Sequence, residues 1–155
     1  MHKINLDKTD RKILAILQND GRITNAELAK RIGLSPSACL RRVQRIEESG
    51  VISAYVALVQ QEAVGRPSSI FVEVTLKSQS EESLRAFERA VVTCPDIMEC
   101  YLISGDADYL IRVVAADTQD YERIHKQHLT RLPGLARIRS SFAMRAICKK
   151  TALNI

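Results

Sequence analysis

The stretch SGDADYLIRV, Ser104 to Val113, carries two aspartates two residues apart behind a glycine. Three chemistries are open to such a pair: a cation loop, a general acid and base, or a hairpin turn with polar residues in water. A calcium loop spaces its oxygen ligands regularly, as in D-x-D-x-D-G, and the further ligands are missing here. Catalysis would need the carboxylates of Asp106 and Asp108 to converge. Alternate strand residues point to opposite faces, and no histidine or lysine stands nearby in the sequence. The turn asks for least, since Gly-Asp is ordinary hairpin chemistry between two apolar runs, IMECYLI and YLIRVVA. Glu122-x-x-His125 and His125-x-x-His128 have helical metal spacing, but a di-metal site draws carboxylates from several further helices, so these read as surface or core-edge histidines. Cys39, Cys94, Cys100 and Cys148 form no C-x-x-C pair and have no histidine close by in sequence, so reduced and mostly buried thiols are expected. No metal, no cofactor and no enzymatic activity are expected.

A second chemistry lies nearer the start. Between Arg22 and Arg45 stand six basic residues, Arg22, Lys30, Arg31, Arg41, Arg42 and Arg45, against the single acid Glu27, whereas from Gly65 to Glu122 five basic residues face eleven acidic ones. That segregation, within a net charge of +5, points one end of the chain at a polyanion such as duplex DNA. Eight further lysines and arginines follow from Arg123 with no acid among them and read as a solvated tail.

The basic residues need helices to present them. Asp7 and Asp10 stand at cap and first-turn positions before Ile13, Leu14 and Leu17, and Asp20-Gly21 ends that helix. Thr24-Asn25-Ala26-Glu27 has capping-box form, and Gly33 closes a short second helix. Ser35-Pro36 is a cap followed by proline at the first helical position, opening a third helix that runs to Ser49. Two helices joined by a tight glycine turn make a helix-turn-helix, whose second helix enters the major groove. Steps of 100° put Leu40, Val43 and Ile46 inward with Cys39 beside them, and Ser37, Ala38, Arg41 and Arg45 outward with Arg42 flanking. Ser37, Ala38 and Arg41 are expected on bases, and Arg42 and Arg45 mainly on phosphates, with Ser35 as the cap that meets the backbone. VISAYVAL, after Gly50, alternates like a strand and is expected as a wing or a strand leaving the head. VQQEAVGRPSS has no apolar period. The expected layout is therefore a DNA-binding head over 1–58, a linker over 59–67 and a second domain over 68–155.

That second domain reads strand, helix, strand, strand, helix, strand, which is the ferredoxin-like βαββαβ order, with both helices on one sheet face. Fold class is α+β, and a second copy of the chain is the simplest cover for the other face. No apolar run approaches the roughly 20 residues of a membrane span. The charged start, MHKINLDKTDRK, lacks a secretory stretch, so no membrane is expected and the cytoplasm is the expected location.

The run ELAKRIGLSPSACLRRVQRIEESGVISAY, Glu27 to Tyr55, together with the later G-D-x-D of SGDADYLIRV, resembles the Lrp/AsnC family of feast/famine transcription regulators over almost the whole chain. The resemblance implies a DNA-binding head and an effector-binding, dimer-forming second domain, with dimers often assembling into octamers and small amino acids bound where dimers meet. It places the effector at Gly105, Asp106 and Asp108, with Ser104 and Tyr109 as neighbours and Ser140 and Ser141 as weaker candidates. The SSFAM segment and its basic tail depart from the family's usual pattern. The alternatives are a global DNA-organising protein of the same fold, and a small-molecule sensor or enzyme of ferredoxin-like fold. An RNA-recognition module shares the βαββαβ order but needs aromatic residues on its central strands, and YLIRVVA offers only Tyr109.

Overall fold

The computed structural model describes residues 5–155. The chain divides into two compact units, the residues up to Leu58 together with Ile147–Ile155, and Val59–Ala146. Each is described by itself.

The first unit holds α1 (Lys8–Leu17), α2 (Asn25–Ile32) and α3 (Pro36–Glu48). Each start is capped at the residue its sequence predicts, but at α2 the Glu27 carboxylate binds Arg31 rather than completing the expected capping box. Asp7 accepts from the N–H groups of Thr9 and Asp10 while the Asp10 side chain accepts from Asp7 N–H, and Thr24 and Ser35 cap α2 and α3. Gly33, at φ 73°, turns the chain out of α2, and Leu34 N–H closes onto Ala29 O at 3.0 Å. The core is Ile13, Leu14, Leu28, Ala29, Cys39 and Ile46, with Val43 and Ile52 packed at its edge. Leu40 does not join it and is 45% exposed. The inward stripe of α3 centres on Cys39 and Ile46 instead, because Arg42 on the same side is drawn to α1.

No strand forms over VISAYVAL. Only Ile52 reaches the core, while Val56 and Leu58 stay more than 70% exposed, at 74% and 72%. A strand needs a partner edge for its backbone groups. None stands beside this segment among the described residues, so the expected wing strand is not formed there. Ile147–Ile155 complete this unit: Gln18 Nε2 donates to Leu153 O (3.2 Å) and Leu153 N–H donates to Gln18 Oε1 (2.6 Å).

The second unit begins with a 3-10 turn at Glu62–Val64, then β1 (Ser68–Leu76), α4 (Glu81–Val91), β2 (Ile97–Leu102), β3 (Tyr109–Ala115), α5 (Thr118–Gln127) and β4 (Leu135–Phe142). The strands pair antiparallel in the order β2-β3-β1-β4, the ferredoxin-like arrangement. Alternation decides the faces. Ile70, Val72, Val74, Tyr109, Ile111 and Val113 turn inward and pack with Phe87 and Val91 of α4 and Tyr121 and Ile124 of α5. Phe71, Glu73, Leu110 and Arg112 turn the other way, where Phe71 remains 39% exposed. No helix among the described residues is long and apolar enough to cross a membrane.

Two capping carboxylates make the fold sensitive to acid. The backbone N–H of Asp10, then Arg42, holds Asp7 below the usual carboxylate range, and the N–H of Ala116, then Arg123, does the same for Asp120. Both lie below the ordinary 3.8 in the folded chain, so their contribution is present above that value and is lost as pH falls through the folded values. The melting temperature should hold down to about pH 5 and fall below about pH 4. The double variant Asp7→Asn, Asp120→Asn should flatten that fall in a calorimetric pH series, and an unchanged slope would show that other groups set it.

Candidate DNA-reading helix and effector turn

Helix α3 opens on Ser35, whose hydroxyl accepts from Ala38 N–H at 3.3 Å and lies 3.3 Å from the Ser37 hydroxyl. Asn25, the first residue of α2, donates from Nδ2 to Pro36 O at 2.9 Å and ties the two helix starts together. Composition gave no sign of this bond. Outward from that start stand Ser37 and Arg41, both exposed, with Ala38 half-buried between them.

The three arginines of α3 divide. Arg42 Nη1 donates to Asp7 Oδ2 (2.7 Å) and Asp10 Oδ1 (2.8 Å), and Arg45 Nη2 donates to Asp10 Oδ2. Asp10 is fully buried, so both guanidiniums bind a carboxylate that has left water. Arg41 has no ion pair or hydrogen bond among the described residues. A phosphate that approaches Arg42 or Arg45 competes with Asp10, whereas one that approaches Arg41 competes only with water.

The turn also divides. β2 and β3 are joined through residues 103–108, closed by Ile103 N–H donating to Asp108 O at 2.9 Å. Gly105 takes φ 135°, where a side chain is strained although the space around it is open. Ser104, Gly105 and Asp106 are exposed. Asp108 is not the exposed turn residue expected from the sequence. It is 7% exposed, its Oδ2 accepts from Leu76 N–H at 2.7 Å, and its Oδ1 accepts from Gln79 Nε2 at 2.7 Å. Its carboxylate therefore serves the end of β1. Tyr109 is 1% exposed, stacks on Phe87 at 4.5 Å between ring centroids and donates to Glu88 Oε1 at 2.9 Å. Burial, then Glu88, pushes its phenol upward.

Ser140 and Ser141 do not share a face. Ser140 pairs in register with the inward Val72 and lies 2.6 Å from the Tyr121 hydroxyl, whereas Ser141 pairs with the outward Phe71. Strand β1 separates both from β3 and its turn. Burial pushes the Cys39 thiol up, and burial with Glu88 lifts Cys100 to about 11, so neither is a ready thiolate at neutral pH. Glu122 is bound to Lys126 rather than poised with His125.

A three-helix head whose last helix carries an exposed arginine, followed by an antiparallel βαββαβ unit, has the two-part layout of a helix-turn-helix regulator. Residues 6–53 match the winged helix-turn-helix DNA-binding family, and residues 69–153 match the Lrp/AsnC ligand binding domain. The chain is 40% identical over 147 residues to the Bkd operon transcriptional regulator of Pseudomonas aeruginosa, covering 95% of this chain and 96% of that protein. It is 41% identical over 150 residues to the leucine-responsive regulatory protein of Escherichia coli, covering 97% and 92%. A transcriptional regulator of Neisseria meningitidis, solved as an L-Met complex, superposes with a TM-score of 0.91 at 34% identity, covering 97% of each chain. The chain belongs to the Lrp/AsnC family of transcriptional regulators.

The two aspartates of the turn should separate in an unfolding experiment. Asp108→Ala strands a buried N–H and should cost about 1–3 kcal/mol. Asp106→Ala, at an exposed position, should stay within about 0.5 kcal/mol of the parent. Urea denaturation measures both, and equal losses would mean that Asp106 also carries structure.

Proposed function

We propose that this chain is an amino-acid-responsive regulator that reads duplex DNA through α3 of paired heads. It works in the cytoplasm as a self-associated assembly and catalyses no reaction. One observation carries the DNA half: Arg41 is exposed and, among the described residues, without a partner on the helix that Arg42 and Arg45 fasten to α1. Ser37 and Ala38 leave room for the backbone to approach the groove, and Arg41 has the fork geometry that meets guanine O6 and N7. Arg42 and Arg45 act on phosphates from the edge of the Asp10 cluster, beside the Ser35 cap.

The effector half rests on the exposed part of the turn. Asp106 offers a carboxylate to an ammonium group, and Gly105, which carries no side chain, exposes backbone that can meet a carboxylate. Ser104 flanks them. Asp108 and Tyr109 act by holding the turn in place, and Ser140 and Ser141 stand apart from it. The Neisseria relative was solved with L-Met and the Escherichia coli relative is named for leucine, so apolar amino acids are the first ligands to examine. The uncovered sheet face, with Phe71 and Tyr101 on it, accepts a second copy of the chain, and dimers built this way can assemble further into octamers. A ligand held between copies shifts assembly because it binds one assembly better than another.

Arg41→Ala should cost roughly 1–3 kcal/mol at the base pair it reads and little on other sequences. Fluorescence anisotropy against a selected site and its single-base variants measures this, and equal loss on every sequence would assign Arg41 to phosphate. L-Met or L-Leu should raise the melting temperature of the parent by mass action. Asp106→Asn should lose that shift while it keeps DNA binding without ligand. Calorimetric affinity unchanged in Asp106→Asn would return the turn to a purely structural role.

A further inference from the structure

The second unit holds a group of metal-ligating atoms that no sequence spacing announces. Cys94 lies just beyond the end of α4, Asp96 immediately precedes β2, and His128 ends α5. The Cys94 sulfur, one Asp96 carboxylate oxygen and one His128 ring nitrogen all lie within 4.8 Å of one another. Cys94 and Asp96 are buried and His128 is half-buried. Neither the Cys94 thiol nor the His128 ring has a hydrogen-bond partner among the described residues. Both open on a cleft of about 160 Å³ that is large enough for an ion and its water.

Asp96 is already oriented. Its Oδ1 accepts from Arg66 Nη1 at 3.0 Å, while Oδ2 meets Arg123 Nη2 only at 3.6 Å, beyond a hydrogen bond. A carboxylate has about four lone-pair sites, so acceptor capacity remains after both contacts. The two helices also end here, and the carbonyls of a helix C-terminus carry negative partial charge that favours a cation. Arg66, Arg123 and, on the cleft wall, Arg131 oppose one. Asp120 also pairs with Arg66 and Arg123 and meets part of that charge, while a Cys94 thiolate and the Asp96 carboxylate together balance the divalent ion itself.

We propose that Cys94, Asp96 and His128 form a three-ligand site for a divalent transition ion of the zinc class, with water from the cleft in the fourth position. Sulfur and imidazole select such an ion over calcium or magnesium, which take oxygen ligands. Zinc bonds of about 2.0–2.3 Å in tetrahedral geometry set donors roughly 3.5 Å apart, so the side chains close by about 1 Å on binding. The Cys94 thiol releases its proton to solvent, and no electron changes hands. The bound ion fastens the corner between α4 and β2 to the end of α5.

The test uses the full chain without a tag, stripped with chelator and titrated with Co²⁺. One Co²⁺ per chain should bind with a thiolate-to-cobalt charge-transfer band in the near ultraviolet and tetrahedral bands in the visible, and Zn²⁺ should displace it. Either ion should raise the melting temperature. Cys94→Ser should abolish the charge-transfer band, and His128→Gln should weaken binding at least tenfold. Cys148→Ser, which removes the exposed thiol, should change neither. If Cys94→Ser does not fold by circular dichroism, the half-exposed His128→Gln decides. No stoichiometric binding, undiminished affinity in His128→Gln, or loss of the band in Cys148→Ser would overturn the assignment.

Discussion

The head depends on one buried carboxylate. Asp10 has no solvent exposure, and its two oxygens are taken by Arg42, Arg45 and the N–H of Asp7. Replacing such an ion pair with apolar side chains is often neutral for stability, so its importance lies in direction more than in energy. A helix that packs by Cys39 and Ile46 alone could roll about its axis with little change in buried area. Two charged hydrogen bonds from successive turns fix the roll, and with it the direction in which Arg41 leaves the surface. The same cluster caps α1, because Asp7 receives the N–H of Asp10 and the guanidinium of Arg42 together. Helix initiation and helix orientation are thus a single network, and a change at its centre reaches the exposed side of α3 without touching it.

Much of this was legible in the sequence because the signals are local. Asp7, Thr24 and Ser35 cap the helices they precede, since a cap is settled within three residues. The alternating burial of β1 and β3 follows the same kind of local rule, since successive side chains point to opposite faces. What failed was set by partners distant in sequence. Leu40 and Arg42 compete for the inward side of α3, and the outcome turns on a carboxylate 32 residues away. Asp108 looks like a turn residue until Leu76 and Gln79, 32 and 29 residues earlier, arrive beside it. VISAYVAL has strand alternation, but a strand is a property of two segments, and the second is not beside it among the described residues.

The G-D-x-D turn illustrates how one short motif divides labour. Its second aspartate faces inward and satisfies the backbone at the end of β1, and its neighbour Tyr109 is locked between Phe87 and Glu88. Its first aspartate faces water. The buried half is a rigid mount, so the exposed half can hold a fixed position without contributing to the core. Binding groups carried on such a mount lose little conformational entropy when a ligand arrives.

The return of Ile147–Ile155 to the head has a consequence for how the chain acquires its structure. The contact between Gln18 and Leu153 spans 135 residues, with the whole second unit in between. The three helices can form early from local contacts, whereas the tail joins them only after the intervening unit has been made. Closing so long a loop costs only slightly more than closing one half as long, because the entropy grows with the logarithm of length. The unit between is thus an insertion in the topological sense, and a head fragment cut at Leu58 lacks part of its own surface.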